Sequence, residues 1–228
     1  MAEAKREANA PMVYLASKSP RRAAILDELG ISYRVLAADA DEIVADGPGE
    51  TVEENAARKL IAGLAIAAPG AVVVAADTVL EVQGRLLGKP TNRTMAREYL
   101  QTLSGRLVTA WSAVGIGVAG EANGRLATET AEVQFRSLQA EVIDWYLSTG
   151  EPMGRAGAFG IGQIGEVLTA SVDGCYSCIS GLPKTVLLMA LASVAGDRLP
   201  QWLRNVPTSL ANARVRLRPL PLAPRDTD

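Results

Sequence analysis

Histidine is absent from the 228-residue chain, and its absence excludes several kinds of active site. Catalytic triads of the Ser-His-Asp or Cys-His type, histidine metal sites and imidazole acid–base catalysis all require that side chain. The two cysteines, Cys175 and Cys178, form a C-x-x-C pair, but no second pair and no histidine complete a zinc site. Any chemistry must therefore use carboxylates, lysines, arginines, hydroxyls and a bound ion.

Aromatic residues and long apolar runs are also scarce. Aromatic side chains make up 4% of the chain, too few for many base-stacking platforms, and a net charge of -2 creates no field that attracts nucleic acid. No run reaches the roughly 18 apolar residues of a membrane span, and residues 1–12 lack the apolar centre of a signal peptide. These absences predict a cytoplasmic protein without nucleic-acid or membrane partners.

The hydrophobic pattern predicts an α/β fold, with strand–helix alternation first and a strand-rich stretch later. Residues 12–16 and 70–76 are typical of buried strands, and Asp77 follows the second of them. A helix is predicted over 21–29, because Ser19 is a good N-cap and Pro20 suits the first helical position. Further predicted elements are helices at 53–68, 94–103, 140–148 and 185–194, strands at 110–118, 127–135 and 167–172, and a hairpin turn near 83–84.

Two terminal extensions are predicted to flank one folded domain. Residues 1–11 are expected to be a flexible N-terminal extension, and residues 12–196 are expected to form the domain. Residues 197–228 are expected to be a partly disordered C-terminal extension, because the stretch that starts at Val215 is rich in proline and arginine.

The turn after the first predicted strand is a candidate anion site. Ser17, Arg21 and Arg22 lie where a strand passes into a helix, so free backbone N–H groups and the positive end of the helix dipole would face a bound anion. The hydroxyl and guanidinium groups add donors that suit phosphate oxygens. The alternative is a well-capped surface helix whose arginines are solvated.

Acidic residues form a second candidate cluster. Asp39, Asp41 and Glu42 follow a strand-like run, and Asp77 stands at the carboxyl end of its own predicted strand. Ligands of open α/β sheets lie outside such strand ends, and converging carboxylates bind hard cations such as Mg²⁺ that also take substrate phosphates as ligands. The alternative is a set of ordinary loop acids, a description that fits Asp77 least well.

Two lysines complete the set of candidate residues. Lys59 lies on the predicted helix 53–68, and Lys89 precedes Pro90, which restricts the backbone around the lysine. Lysine amines can neutralise phosphate charge as a bond breaks. Considered alone, either lysine is more typical of a solvated surface charge.

Two further motifs are not given a functional interpretation. Residues 115–120 and 160–165 both fit G-x-G-x-x-G, but neither is predicted to open a helix directly after a strand, as a dinucleotide site requires. A dinucleotide-dependent oxidoreductase is therefore disfavoured. The C-x-x-C pair is expected in a strand instead of at a helix start, which favours structural cysteines over a redox pair.

Taken in order along the chain, these motifs resemble the Maf family of nucleoside triphosphate pyrophosphatases. The resemblance runs from about Tyr14 to about Val194. It rests on LASKSPRRAAILDELGI, the pair Asp41-Glu42, Lys59, AADTV, GKP, LSG, VQF, YLSTGEP, AGAFGIG, and Gly174-Cys175-Tyr176 with the following GLP. One such motif is weak, whereas this many in the family's order are a specific signal.

The resemblance implies a mixed, twisted sheet in two lobes, flanked by helices around a central cleft and related to the inosine triphosphate pyrophosphatases. The implied reaction converts a nucleoside triphosphate and water to a monophosphate and pyrophosphate with Mg²⁺ or Mn²⁺. A homodimer is implied as well. Carried over by residue, the phosphate and substrate contacts are Ser17, Arg21, Arg22, Thr78 and Gln163, the metal and water residues are Glu42 and Asp77, and the charge-stabilising lysines are Lys59 and Lys89.

The late loop bears on the choice of substrate. Residues 156–161, AGAFGI, resemble the family branch that acts on dTTP and UTP more than the branch that acts on 7-methylguanosine triphosphate. The family's glutamine after G-I is replaced by Gly162, with Gln163 one place later, and its usual lysine is replaced by Arg155. These departures leave open both the second branch and a weakly catalytic nucleotide-binding regulator of cell division.

Overall fold

The structure is a computed structural model that describes residues 13–210 and 215–222. The strands are β1 (Val13–Leu15), β2 (Tyr33–Val35), β3 (Val72–Val82), β4 (Arg85–Leu87), β5 (Leu107–Val118), β6 (Asn123–Phe135), β7 (Thr169–Gly174) and β8 (Arg216–Pro221). The α-helices are α1 (Pro20–Glu28), α2 (Pro48–Ile66), α3 (Arg93–Leu103), α4 (Ala140–Ser148), α5 (Tyr176–Ser180), α6 (Lys184–Val194) and α7 (Gln201–Arg204). Short 3₁₀ turns cover Ala156–Ala158, Ile164–Leu168, Gly196–Arg198 and Thr208–Leu210.

The strands form one eight-stranded mixed sheet in the order β2-β1-β3-β5-β6-β7, with β4 paired to β3 and β8 paired to β6. Strand β1 runs parallel to both β2 and β3, and the remaining pairs are antiparallel. Helices cover the sheet, so the predicted α/β fold with a mixed sheet is confirmed. The predicted hairpin turn is present as well, because Gln83 and Gly84 both have positive φ, at 52° and 76°.

Strand β3 is longer than the sequence indicated, and its partners leave part of one edge open. Strand β1 pairs only with residues 72–74, and β4 pairs with the same edge at residues 80–82. Strand β5 pairs along the other edge from Val72 to Glu81. The prediction that Asp77 ends its strand is therefore wrong. Asp77 lies inside β3, at the gap that opens where the short strand β1 has ended.

The hydrophobic core is divided along the sheet into two regions. Around the parallel strands, Leu26 and Leu187 pack on one face, and Leu60 of α2 packs on the opposite face. A second region around α3 and α4 contains Leu100 and Tyr146 and covers the far half of β5 and β6. These two regions correspond to the two expected lobes, and the open edge of β3 lies between them.

Two features add to or correct the sequence predictions. Within the predicted C-terminal extension, Arg216–Pro221 forms β8 and pairs with residues 123–128 of β6. A strand with two prolines can pair at a sheet edge, because only alternate N–H groups face the partner strand and the others need no partner in the sheet. The C-x-x-C pair is not in a strand, because Cys175 is the N-cap of α5 and Cys178 lies within that helix. The predicted extension 1–11 lies outside the described residues.

No helix in the described part of the chain combines the length and the apolar character that a membrane span requires.

Candidate active site

A cleft of about 360 Å³ lies beside the open edge of β3, whose Asp77 contacts the cleft residue Lys59. The turn before α1, the loop before α2, the helix α2 and the loop after β4 supply its walls, which include Ser17, Arg21, Arg22, Glu42, Lys59 and Lys89. Asp77 and Thr78 follow each other on β3, so their side chains point to opposite faces of the sheet. Asp77 therefore faces α2 and Thr78 faces α1, and the predicted residues converge around one strand edge.

Lys59 joins the two predicted metal ligands. Its ammonium Nζ lies 2.6 Å from Asp77 Oδ1 and 2.7 Å from Glu42 Oε1. The side chains of Lys59 and Asp77 are only 12% and 5% exposed, so this part of the ion-pair network is largely withdrawn from solvent. A buried carboxylate without a cation would be strongly unfavourable, and Lys59 supplies the opposite charge beside Asp77.

Glu42 accepts hydrogen bonds from two lysines. In addition to Lys59, the ammonium of Lys89 lies 2.9 Å from Glu42 Oε1. Partial burial opposes ionisation of Glu42, but hydrogen bonds from Lys59 and then Lys89 outweigh it and lower the pKa of Glu42 to about 2. Glu42 is therefore a carboxylate at any physiological pH, and none of the described residues donates a hydrogen bond to its second oxygen, Oε2.

Asn55 is a residue of the site that the sequence reasoning missed. This side chain is buried, and its Nδ2 donates to Asp77 Oδ2 at 3.2 Å. The same amide is paired with both backbone groups of Ile43, accepting from the N–H at 2.8 Å and donating to the carbonyl at 3.0 Å. Asn55 thus ties the loop that carries Glu42 to Asp77. A signal was present, because Asn55 lies four positions before Lys59 and so shares its helix face.

Arg22 is a buried arginine that holds the cleft together. Its Nε donates to the Gly181 carbonyl at 2.8 Å, its Nη1 to Ser17 Oγ at 3.0 Å, and its Nη2 to Thr78 Oγ1 at 3.4 Å. Burial lowers the pKa of Arg22, and the nearby carboxylates Asp77 and Glu42 oppose that shift. Three of its five N–H donors are therefore committed to the protein before any ligand binds.

Arg21 has a different environment. It lines the cleft described above and two neighbouring cavities, and none of the described residues accepts a hydrogen bond from it. Burial, followed by the positive charges of Arg155 and Arg22, lowers the pKa of Arg21 to about 10. A guanidinium with free donors beside two other arginines is an electrostatically favourable place for a polyanion.

The donor set limits the kind of metal site that this cleft can form. No group of three or more histidine, cysteine or acidic side chains with metal-binding geometry occurs among the residues the structure describes. Glu42 and Asp77 offer two hard oxygen donors, and both carboxylates contact Lys59. Two carboxylates suit Mg²⁺, which commonly takes one or two carboxylates and completes its shell with water and substrate phosphates.

Gln163 lies apart from the carboxylates. It lines a second cleft of about 350 Å³, which shares Pro20 and Arg21 with the first. The neighbouring Gly162 has a φ of +80°, a conformation in which a glutamine would be strained, so the family's usual residue does not suit this backbone. Neither G-x-G-x-x-G stretch opens an α-helix, since residues 115–120 continue β5 into a turn and 160–165 form an irregular loop.

An α/β sheet whose open strand edge gathers two carboxylates, two lysines and two arginines defines a protein suited to binding a polyanion together with a cation. The chain belongs to the Maf-like protein family, whose sequence model matches residues 12–194. A dTTP/UTP pyrophosphatase of Symbiobacterium thermophilum is 43% identical over 171 residues, covering 74% of this chain and 87% of the relative. One of Methylobacillus flagellatus is 36% identical over 197 residues, covering 82% and 96%.

Among solved structures, the Ham1 protein of Staphylococcus aureus is similar with a TM-score of 0.39 and 17% identity, covering 54% of this chain and 71% of that one.

Proposed function

We propose that this protein hydrolyses nucleoside triphosphates, with dTTP and UTP as the preferred substrates, to a nucleoside monophosphate and pyrophosphate. The observation that carries the proposal is the convergence of Glu42 and Asp77 on Lys59, which lines the same cleft as Arg21. The preference for dTTP and UTP rests on the activity named for the relatives, which are 34–43% identical to this chain.

In this proposal the triphosphate lies along the arginine wall of the cleft. Arg21 donates to phosphate oxygens with its free N–H groups, and Ser17 adds a hydroxyl donor from the turn before α1. Arg22 keeps Ser17 and Thr78 in place through the hydrogen bonds described above. The contribution of Arg22 is therefore mainly one of positioning, with its two remaining N–H groups available to the phosphates.

Glu42 and Asp77 would hold a divalent cation, Mg²⁺ or Mn²⁺, together with the substrate phosphates. When bound, such an ion polarises the phosphoryl oxygens and lowers the pKa of a coordinated water. The carboxylates also orient the attacking water, and one of them accepts its proton as the oxygen bonds to the α-phosphorus. The bond from the α-phosphorus to the bridging oxygen breaks, and that oxygen leaves with pyrophosphate.

Lys59 and Lys89 stabilise the negative charge that develops during this step. Both ammonium groups contact Glu42 before substrate binds, so their positions are already set by the protein. Preorganised charges of this kind need no reorientation as the bond breaks, and this property makes them effective in catalysis.

The test is pyrophosphate release from dTTP, UTP, CTP, 7-methyl-GTP and ITP, each with Mg²⁺, Mn²⁺ or EDTA. We expect metal-dependent release with dTTP and UTP preferred, and nucleoside monophosphate formed in equal amount. Release of inorganic phosphate and a diphosphate would contradict the proposed bond cleavage. Metal-dependent release confined to 7-methyl-GTP would assign the other substrate branch, and tight nucleotide binding without release would indicate a regulator.

A further inference from the structure

Ser112 is a fully buried serine that the proposed function leaves without a role. It lies on β5 opposite Thr78 of β3, and its Oγ is 2.8 Å from Thr78 Oγ1 and 2.7 Å from the backbone carbonyl oxygen of Cys178. A hydroxyl has one proton, whereas a carbonyl oxygen can only accept. Because two oxygens at 2.7 Å repel each other without a hydrogen between them, the single proton of Ser112 is donated to Cys178.

This hydrogen bond decides which way the proton of Thr78 points. Ser112 has no second proton, so in the contact between the two hydroxyls Thr78 donates and Ser112 accepts. Another acceptor near Thr78 Oγ1 is the Gly181 carbonyl, but it is 3.5 Å away and already accepts from Arg22 Nε at 2.8 Å. Bonds between a hydroxyl and an oxygen normally measure about 2.5–3.0 Å. The protons therefore run in one direction, from Thr78 through Ser112 to the Cys178 carbonyl.

Thr78 has only lone pairs to offer once its proton is committed. One of them accepts a long hydrogen bond from Arg22 Nη2, at 3.4 Å. The oxygens of an ionised phosphate are acceptors as well, so Thr78 has no proton with which to bind them directly. Thr78 accordingly acts on the guanidinium of Arg22 and does not donate to a phosphate.

Ser17 has the opposite arrangement on the same arginine. Its Oγ accepts from Arg22 Nη1 at 3.0 Å and from the N–H of Ser19 at 3.3 Å. In the described part of the chain no group accepts the proton of Ser17, and this residue lines the cleft of about 360 Å³. Thr78 lines instead a small neighbouring cavity of about 20 Å³. Of the two hydroxyls that contact Arg22, Ser17 is therefore the one that can donate to an anion.

We propose that Ser112 is a positioning residue of the active site, which acts through Thr78 on the guanidinium of Arg22. It fixes Thr78 through the hydroxyl contact, and it also holds the backbone of α5. Gly181, the C-cap of α5, supplies the carbonyl that accepts from Arg22 Nε. This inference rests on the proposed function, and it gives Thr78 a positioning role in place of the substrate contact that the family resemblance implies.

A guanidinium that is ordered before the ligand arrives loses less conformational entropy on binding. Disrupting the hydroxyl chain should therefore weaken the binding of a triphosphate equally in the ground state and in the transition state. Loss of such uniform binding raises KM and leaves kcat nearly unchanged. A merely structural defect would instead reduce the amount of folded enzyme, so the apparent kcat would fall at an unchanged KM.

The experiment measures kcat and KM for dTTP with Mg²⁺ in the wild type, Ser112→Ala, Thr78→Val, Thr78→Ser and the double variant Ser112→Ala/Thr78→Val. We expect Ser112→Ala and Thr78→Val each to raise KM about fivefold to tenfold, the scale of one lost hydrogen bond, with kcat little changed. Thr78→Ser keeps the hydroxyl and should retain the KM of the wild type. The double variant should be no worse than Thr78→Val alone, because both changes break the same chain.

Ser112→Ala distinguishes the inference from a direct contact between Thr78 and the phosphates. If Thr78 donated to the substrate, removal of Ser112 Oγ would release the Thr78 proton, and KM would stay the same or fall. An unchanged or lower KM in folded Ser112→Ala would therefore overturn the inference. If Ser112→Ala does not fold, Ser112→Cys takes its place with the same expected rise in KM, because sulfur is a weak acceptor.

Ser104→Ala is the matched control, because it removes a half-buried hydroxyl that accepts from the N–H of Leu138 at 2.7 Å and lines none of the three cavities. Its kcat and KM should equal those of the wild type. Urea denaturation and binding of dTTP in EDTA are measured for every variant. If the wild type binds dTTP but releases no pyrophosphate, the proposed hydrolysis fails, and the dissociation constants of the same variants decide the role of Ser112. A wild type that neither binds nor hydrolyses dTTP would contradict both.

Discussion

Replacing Asp77 by asparagine tests how much the charge of Asp77 contributes to turnover and how much it contributes to stability. The substitution removes one negative charge and keeps the shape of the side chain. Its oxygen can still accept from Asn55, which lies 3.2 Å from Asp77 Oδ2, and Lys59 keeps Glu42 as a partner at 2.7 Å. The NH₂ group of the new asparagine then faces the Lys59 ammonium, so one buried donor is left without an acceptor. We therefore expect the free energy of unfolding to fall by about 1–3 kcal/mol, less than the 3–5 kcal/mol typical of a broken buried ion pair.

Turnover should respond far more strongly than stability. Loss of a preorganised charge in an active site costs about 10²–10³ in kcat, which corresponds to about 2.7–4 kcal/mol. The assay is pyrophosphate release from dTTP with Mg²⁺, combined with urea denaturation of the same preparation. Asp41→Asn is the control, because this exposed neighbour of Glu42 undergoes the same charge change. A folded Asp77→Asn variant with a rate within threefold of the wild type would refute the assignment of Asp77.

Three other predictions concern separate parts of the molecule. Lys89→Ala should reduce kcat by about 10²-fold. The free energy of unfolding should hardly change, because the ion pair between Lys89 and Glu42 is exposed. Pyrophosphate release and urea denaturation measure the two quantities, and a loss of activity matched by an equal loss of stability would count against a catalytic role. Leu222→Ala should lower the free energy of unfolding by about 2–5 kcal/mol, because this buried residue follows β8 and fills space beside Gly117, Gly124 and Leu64. An unchanged midpoint of urea denaturation would mean that β8 and Leu222 do not pack on the domain in solution. Burial raises the pKa of both Cys175 and Cys178, so the thiolate fraction is low at pH 8 and rises at higher pH. Iodoacetamide, followed by mass spectrometry, should therefore label the folded protein more slowly than the urea-unfolded chain at pH 8, and equal rates would contradict this environment.

Local patterns predicted most of the fold. Apolar periodicity indicated the positions of α4 and α6 to within a residue, and the positive φ of the hairpin turn follows from Gln83-Gly84. The extent of β3 could not be predicted in the same way. Its length depends on pairing with β5, which is distant in the chain, and the significance of Asp77 depends on where β1 ends. Strand ends are set by partners, and a single run of residues does not identify them.

The candidate site was predictable where residue type alone restricts the chemistry. Carboxylates, lysines and arginines had to converge somewhere in a chain without histidine, and the structure brings Glu42, Lys59 and Asp77 together. Asn55 was missed because an amide has no charge to draw attention to it. The hydrogen bond from Arg155 Nη2 to Gln163 Oε1 depends on the path of an irregular loop, whose backbone no periodic pattern describes.

That loop also restricts how the protein can change in evolution. A side chain on Gly160 would place its Cβ 1.9 Å from Arg155 Nη1, and Gly162 has a left-handed backbone that penalises other residues. Gln163 in turn depends on Arg155 for its orientation. A lineage that replaced Gly160 first would pass through an intermediate with a steric clash, and one that replaced Gly162 first would have a strained backbone. Replacing Arg155 first would leave the Gln163 amide without its partner. Substitutions in this segment should therefore be epistatic, so that the effect of each one depends on the order in which the others were acquired.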